Sequence, residues 1–311
     1  MQIAARKGFC FANPLVVFAA AAICAMIFLC AAPVVFAQAE VAWGARGAAP
    51  ALKKKVVFTQ FGVANTLHVD DISNIYDGLP VMLSRRLEAG GEFLSSYNGR
   101  SIPEEAGTAQ REAVIQIAEE AGAQFLVSGT VVNAGIIRKK GFWSTTASRH
   151  IEVEFAVYDG LTGARLLLRR LDEQAQGDVM VGNDKPFGSR IFFEAEFGKA
   201  TNRLIDAAVN DIQAALQYAP FSARIISAEE KRVILDAGSD SLLKPGHVFV
   251  AYVRDAGPIA GLDGSVPGIT DRAADTVTLI QVQPQFSVGE LSEDAAKLGI
   301  RAGNIARIDS E

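Results

Sequence analysis

Thiols are confined to one end of this chain. Its three cysteines, Cys10, Cys24 and Cys30, all lie within the first 39 residues. Everything after residue 39 therefore has no disulfide framework, no thiolate-ligated zinc and no cysteine nucleophile. Histidine is equally scarce. His68, His150 and His247 lie far apart, without the His-Glu-x-x-His spacing that places two imidazoles on one helix face. There is no Gly-x-Ser-x-Gly elbow to hold a serine nucleophile. The run Phe197-Gly198-Lys199-Ala200-Thr201 resembles a phosphate loop only in part. Phe193 stands where the first glycine belongs, and Ala200 where a hydroxyl would meet magnesium. The acidic Asp236-Ala237-Gly238-Ser239-Asp240 lacks the alternating ligands of a calcium loop and reads as a turn. Glu152 and Glu154 read as the outer face of a strand rather than as paired acids. Basic excess is missing too: 30 Lys and Arg stand against 35 Asp and Glu, so nucleic acid is not an expected partner. The chain reads as a non-enzyme, with no catalytic residue, metal ligand or cofactor assigned.

What the first 39 residues do contain is a leader pattern. Arg6 and Lys7 precede an uncharged apolar run from Pro14 to Phe36, which Pro33 interrupts, and Ala37-Gln38-Ala39 supplies small residues for a signal peptidase. Residues 1–39 read as a cleavable signal peptide, which places the rest outside the cytoplasm. The same run is long enough to stay as an uncleaved anchor, which would then be the only membrane contact, since no second long apolar run follows. Bulky Leu29 before Cys30 disfavours lipidation. Roughly 270 residues remain, enough to bury about 70–75% of their unfolded surface and to form two domains.

Residues 40–52, rich in Ala and Gly, read as a flexible tether. Lys53-Lys54-Lys55 reads as the solvated entry to a buried strand at Val56-Val57-Phe58. Asp70 and Asp71 stand where an N-cap is wanted, ahead of Ile75, Leu79, Met82, Leu83 and Leu87 at helical spacing, and Gly90-Gly91 ends that helix. A second helix is expected over 110–121, with Ala113, Ile117 and Ala121 on one face. A buried strand over 124–132 follows. Two alternating runs, 151–158 and 165–171, are joined by the turn Asp159–Gly163, and Ile151, Val153, Phe155 and Val157 share one face. A long helix over 191–216 carries a stripe of Leu204, Ala208, Ile212 and Leu216. Residues 53–219 thus read as a mixed α/β layer domain. After Pro220 the texture changes to short strands at 233–235, 247–253, 276–282 and 305–308. One short helix is expected at 292–298 and a mobile loop over 255–275. Residues 220–311 read as a small β-barrel.

One segment looks interactive. Arg138-Lys139-Lys140-Gly141-Phe142-Trp143 sits between two strand runs, where a long hairpin protrudes. Its two aromatics either tuck back onto the sheet or anchor a partner.

The stretches KKKVVFTQF at 53–61, GLPVMLSRRLEAGGEFL at 78–94, GAQFLVSGTV at 122–131 and VYDGLTGARLL at 157–167 resemble flagellar assembly protein T. The likeness continues through FGSRIFFEAEFGKATNRLIDAAVNDIQAALQYAPFSARI at 187–225 and ILDAGSDSLLKPGHVFVAYV at 234–253. It implies a TolB-like α/β middle domain followed by an SH3-like β-barrel. It also implies a periplasmic structural protein of the flagellar basal body. Such a protein forms or stabilises an outer ring around the rod-bushing rings, touches basal-body ring proteins, self-associates into a ring and supports motor assembly. The family's N-terminal domain has no counterpart ahead of residue 53. The first stretch alone also resembles TolB-like and curli-secretion domains, which leaves an envelope regulator or secretion accessory protein as the second reading.

Overall fold

The computed structural model describes residues 51–103, 107–143, 145–177, 179–259 and 268–308. The leader and the first part of the tether lie outside them. The first strand, β1 (Lys54–Thr59), sends alternate side chains to opposite faces: Val56 and Phe58 enter one core, Val57 another. Then follow β2 (Gly62–Val63), a 3-10 turn (Thr66–His68), α1 (Ile75–Ala89), β3 (Phe93–Asn98) and α2 (Thr108–Glu120). After these come β4 (Phe125–Asn133), β5 (Ile136–Lys140), β6 (Thr145–Asp159) and β7 (Arg165–Gln176). They form one seven-stranded sheet in the order β3-β1-β4-β6-β5, with β2 against β4 and β7 against β6. β3, β1 and β4 run parallel, and the β6 pairings are antiparallel. The chain steps from β1 to β3 and then back across to β4. With crossovers of one hand, that reversal puts α1 and α2 on opposite faces. The cores agree: Leu79, Leu83 and Leu87 of α1 join one cluster, and Val114 and Ile117 of α2 the other. The buried face of α2 is Val114, Ile117 and Ala118, which keeps Ile117 of the expected stripe but leaves Ala113 half-buried and Ala121 exposed.

Pro80 lies inside α1 and has no N–H for the carbonyl of Tyr76. That carbonyl instead accepts from Phe61 N at 3.0 Å, so the proline creates the acceptor that ties the segment after β1 to the helix.

The expected helix over 191–216 is two helices, α3 (Arg190–Glu194) and α4 (Glu196–Leu216), broken where Ala195 adopts extended backbone. The cause is close packing. A Cβ on Gly198 would lie 1.8 Å from the Phe192 carbonyl oxygen, so only glycine lets α4 start directly against α3. Phe192 and Phe197 then meet nearly edge-on at 6.0 Å. The stripe Leu204, Ala208, Ile212 and Leu216 packs into the same core as Ile151, Val153, Phe155 and Val157 of β6.

A third core fills the remainder. β8 (Ser222–Glu229), β9 (Arg232–Leu235), a 3-10 turn (Ser239–Ser241), β10 (Val248–Ile259), β11 (Gly268–Val282), β12 (Ser287–Leu291), α5 (Ala295–Leu298) and β13 (Ile305–Arg307) follow. Their strands close a six-stranded antiparallel barrel in the order β10-β11-β12-β9-β8-β13. Two of these strands, β8 and β12, carry no sequence expectation. Of the loop expected over 255–275, residues 255–259 and 268–275 are strand, where β10 and β11 pair with Arg254 opposite Asp271 and Ile259 opposite Gly268, and residues 260–267 lie outside the described residues.

Residues 48–311 form one unit, and the lysine triplet helps to hold it together rather than merely entering a strand. Lys54 Nζ donates to the carbonyls of Leu216 (2.6 Å) and Gln217 (3.0 Å), where the negative end of the α4 dipole lies. Lys55 Nζ donates to the Asp236 carbonyl at 2.6 Å, and Lys53 N to Ser241 O at 3.2 Å. Leu52, expected in the tether, packs against the barrel core.

Candidate interaction surface

The β5–β6 hairpin begins where β4 ends. Asn133 Oδ1 accepts from Gly135 N at 2.9 Å, which turns the chain so that β5 continues beside β6 past the end of β4. From Ile136, opposite Arg149, the arm runs on to Lys140, opposite Thr145. At roughly 3.3 Å per residue its tip stands about 20 Å beyond the level of Arg149. The tip does not tuck back onto the sheet: Phe142 is 91% exposed and Trp143 93%. Their rings meet edge to face at 5.0 Å. Arg138, Lys139 and Lys140 behind them are exposed as well, and Arg138 Nη2 lies 3.9 Å from Met180 Sδ. All five residues singled out from the sequence therefore share one projecting arm.

What holds the base of that arm is a residue the sequence reading passed over. Arg149 is fully buried, and each of its N–H groups has an acceptor. Nε donates to Ala134 O (2.8 Å); Nη1 donates to Asp71 Oδ2 (2.8 Å) and Val179 O (3.1 Å); Nη2 donates to Asp71 Oδ1 (2.7 Å) and His68 O (3.0 Å). The guanidinium also lies 4.5 Å over the Phe197 ring. One side chain thus joins the 3-10 turn, the β4–β5 bend, the segment after β7 and α4. Asp71 is correspondingly not a helix cap. Asn74 precedes α1, in the left-handed region, while Asp71 receives Arg149 and Val181 N (3.1 Å). Burial pushes the Asp71 carboxyl up, but hydrogen bonds from Arg149 and Val181 and the Arg149 charge outweigh it and hold it below its ordinary value. The signal existed: Arg149 continues the odd-numbered, inward parity of Ile151, Val153, Phe155 and Val157.

A second polar cluster lies between the sheet and the barrel. Asp236, expected in a turn, closes β9 and accepts from Arg224 N at 2.7 Å. Burial raises its carboxyl above the ordinary value, against that hydrogen bond and the charges of Lys55 and Arg224. Arg224 donates from Nη2 to Gly160 O at 2.9 Å, and Gln124 Nε2 to Pro220 O at 2.7 Å. An open cleft of about 540 Å³ adjoins them, lined by Ser95, Glu119, Glu120 and Gly303 among others.

The remaining sequence candidates are scattered. His68 lies in the first 3-10 turn and His150 in β6, both bordering Gly135, while His247 precedes β10 in the barrel. Among the described residues no three His, Cys, Asp or Glu side chains are grouped to hold a metal. Glu152 pairs with Arg170 at 2.6 Å, and Phe197–Thr201 lies at the start of α4, buried except for Lys199, with Thr201 Oγ1 donating to Phe197 O.

Residues 45–183 match the family model for the middle domain of flagellar assembly protein T. The chain carries that middle domain. The matched segment runs through the whole seven-stranded sheet, both of its crossover helices and the β5–β6 arm, and ends just past Val179 and Val181, which Arg149 and Asp71 tie down. For a flagellar assembly protein T middle domain, α3, α4 and the barrel lie beyond the match, although α4 completes the sheet's core. No curated protein matches the chain. Among solved structures, a hypothetical protein, CT253, of Chlamydia trachomatis superposes with a TM-score of 0.37 at 15% identity, over 53% of this chain and 98% of that one. A PelC dodecamer of Paraburkholderia phytofirmans gives 0.31 at 15% identity, over 54% and 92%. The lipoprotein GNA1162 of Neisseria meningitidis gives 0.29 at 11% identity, over 52% and 99%.

Proposed function

We propose that this chain is a non-enzymatic assembly protein of the flagellar basal body, working in the periplasm through surface contacts. The family match supports a role in flagellar assembly. The observation that carries the surface-contact reading is the projecting arm: two aromatic rings fully presented to solvent cost apolar exposure that a free-standing chain has no reason to keep. A buried ionic hub, in which every donor is satisfied, fixes the direction of that arm. In this reading the leader exports the chain, the arm is its contact element, and neighbouring copies or ring proteins assemble around it to stabilise an outer ring. A ring built from identical copies needs two different patches that meet head to tail.

The test is co-purification with detergent-extracted basal bodies, together with imaging of those from a deletion strain. The chain is expected in the purified basal bodies, and an outer ring density is expected to be lost on deletion. Absence of the chain from basal bodies, with normal swimming in the deletion strain, would overturn the assignment.

A further inference from the structure

Chemistry along the β5–β6 arm is layered. The tip is aromatic, three cations stand behind it across Gly141, and from Ala134 to Ile151 there is no Asp or Glu in a chain whose net charge is −5. We propose that this tip enters an anionic phospholipid surface, with Phe142 and Trp143 in the headgroup region and Arg138, Lys139 and Lys140 against the lipid phosphates. The proposal rests on the arm being the contact element and names what it contacts.

Spacing supports it. Along a strand, Lys140 lies roughly 7 Å behind Phe142 and Arg138 roughly 13 Å behind. Apolar groups at a membrane interface sit about 5–10 Å into the boundary between headgroups and acyl chains. Rings at that depth leave the cationic heads level with the phosphates, which long side chains reach by snorkelling. Tryptophan is the side chain favoured at this boundary, because its ring is apolar and its N–H still needs an acceptor. Charge separates a lipid surface from a protein pocket. The segment is uniformly basic on a negative chain, so it is drawn to an anionic plane in any rotation about the arm. A protein pocket would need acids placed for three separate cations. The Arg149–Asp71 pair ties down the base of the arm.

The chain has two tryptophans, Trp43 and Trp143, so a full-length W43F variant makes Trp143 the sole indole. It is mixed with phosphatidylglycerol vesicles carrying brominated acyl chains, and separately with brominated phosphatidylcholine vesicles. Trp143 emission is expected to shift to the blue and be quenched by the first, and only weakly by the second. This readout reports the ring itself, whatever else on the chain binds lipid. Each cation near an anionic surface is worth about a fivefold factor, so R138Q/K139Q/K140Q should need roughly 100-fold more lipid for the same quenching. Unchanged emission with phosphatidylglycerol, or equal quenching by both lipids with no effect of the triple variant, would overturn the proposal. If emission is unchanged yet F142S/W143S loses basal-body association, the contact reading stands and the lipid surface is replaced by a protein one.

Discussion

Arg149 and Asp71 show how far a single pair of side chains reaches. Removing the carboxylate leaves a guanidinium buried with three carbonyls but no counter-charge, the situation that makes breaking a buried pair costly. Asp71→Ala is expected to lower stability by about 3 kcal/mol, since its side chain is partly exposed; urea unfolding at neutral pH measures it. Because the folded carboxyl titrates below its ordinary value of 3.8, its contribution is complete above that pH and is lost as pH falls through the lower folded value. The gap between wild type and Asp71→Ala should therefore narrow only below about pH 4. A gap that closes between pH 8 and 5 would mean that another group carries the effect. Parity along β6 announces that Arg149 points inward. It does not announce the partner, which arrives from 78 residues earlier in the chain.

At the scale of elements, the break between α3 and α4 is the clearest departure from periodicity. Phe193, Phe197, Ala200 and Leu204 stand three or four residues apart across the break, so pattern reading makes one helix. Only the packed structure shows that Gly198 must sit on the Phe192 carbonyl. Gly198→Ala drives a methyl into that oxygen and should cost about 1–3 kcal/mol by overpacking, read from the thermal unfolding midpoint. Were the site tolerant, alanine's better helix propensity would instead stabilise α4 by up to about 1 kcal/mol. The β5–β6 arm shows the opposite balance. Its protruding hairpin and five exposed residues are legible from the run of three cations, a glycine and two aromatics. F142S/W143S removes rings that hold no core, so unfolding should shift by under about 0.5 kcal/mol while basal-body association is lost. Wild-type association in that variant would take the arm out of the contact surface.

For the whole molecule, the question is how the sheet and barrel stay together as one unit. The sequence suggests two domains and a solvated lysine triplet; in the structure Lys53 N and Lys55 Nζ reach the barrel, and Lys54 Nζ the end of α4. Lys55→Met removes the donor to the Asp236 carbonyl and a positive charge that offsets the cost of burying its carboxylate. A loss of about 1–3 kcal/mol is expected at pH 7. Asp236 titrates above its ordinary value when folded, so stability tied to it is greatest below 3.8 and falls as pH rises through the folded value. The variant raises that value further, so its deficit should be smaller at pH 4 than at pH 7. A deficit independent of pH would show that Lys55 acts only as a hydrogen-bond donor.

Local alternation and spacing were enough to determine the α/β layer class, the inward face of β6, the core stripe of α4, the change to β structure after Pro220 and the arm's aromatic-basic tip. These depend on neighbours within a few residues, whose periodicity is written directly in the chain. The Arg149–Asp71 pair, the helix break at Ala195, the short strands β8 and β12, and the ties of Lys54 and Lys55 were decided only by tertiary structure. The Arg149–Asp71 pair and the ties of Lys54 and Lys55 depend on partners 78, 162 and 181 residues away, and the helix break on the approach of Gly198 to the Phe192 carbonyl. A buried charge or an unsupported edge is intelligible only once the fold has brought that partner within hydrogen-bond reach.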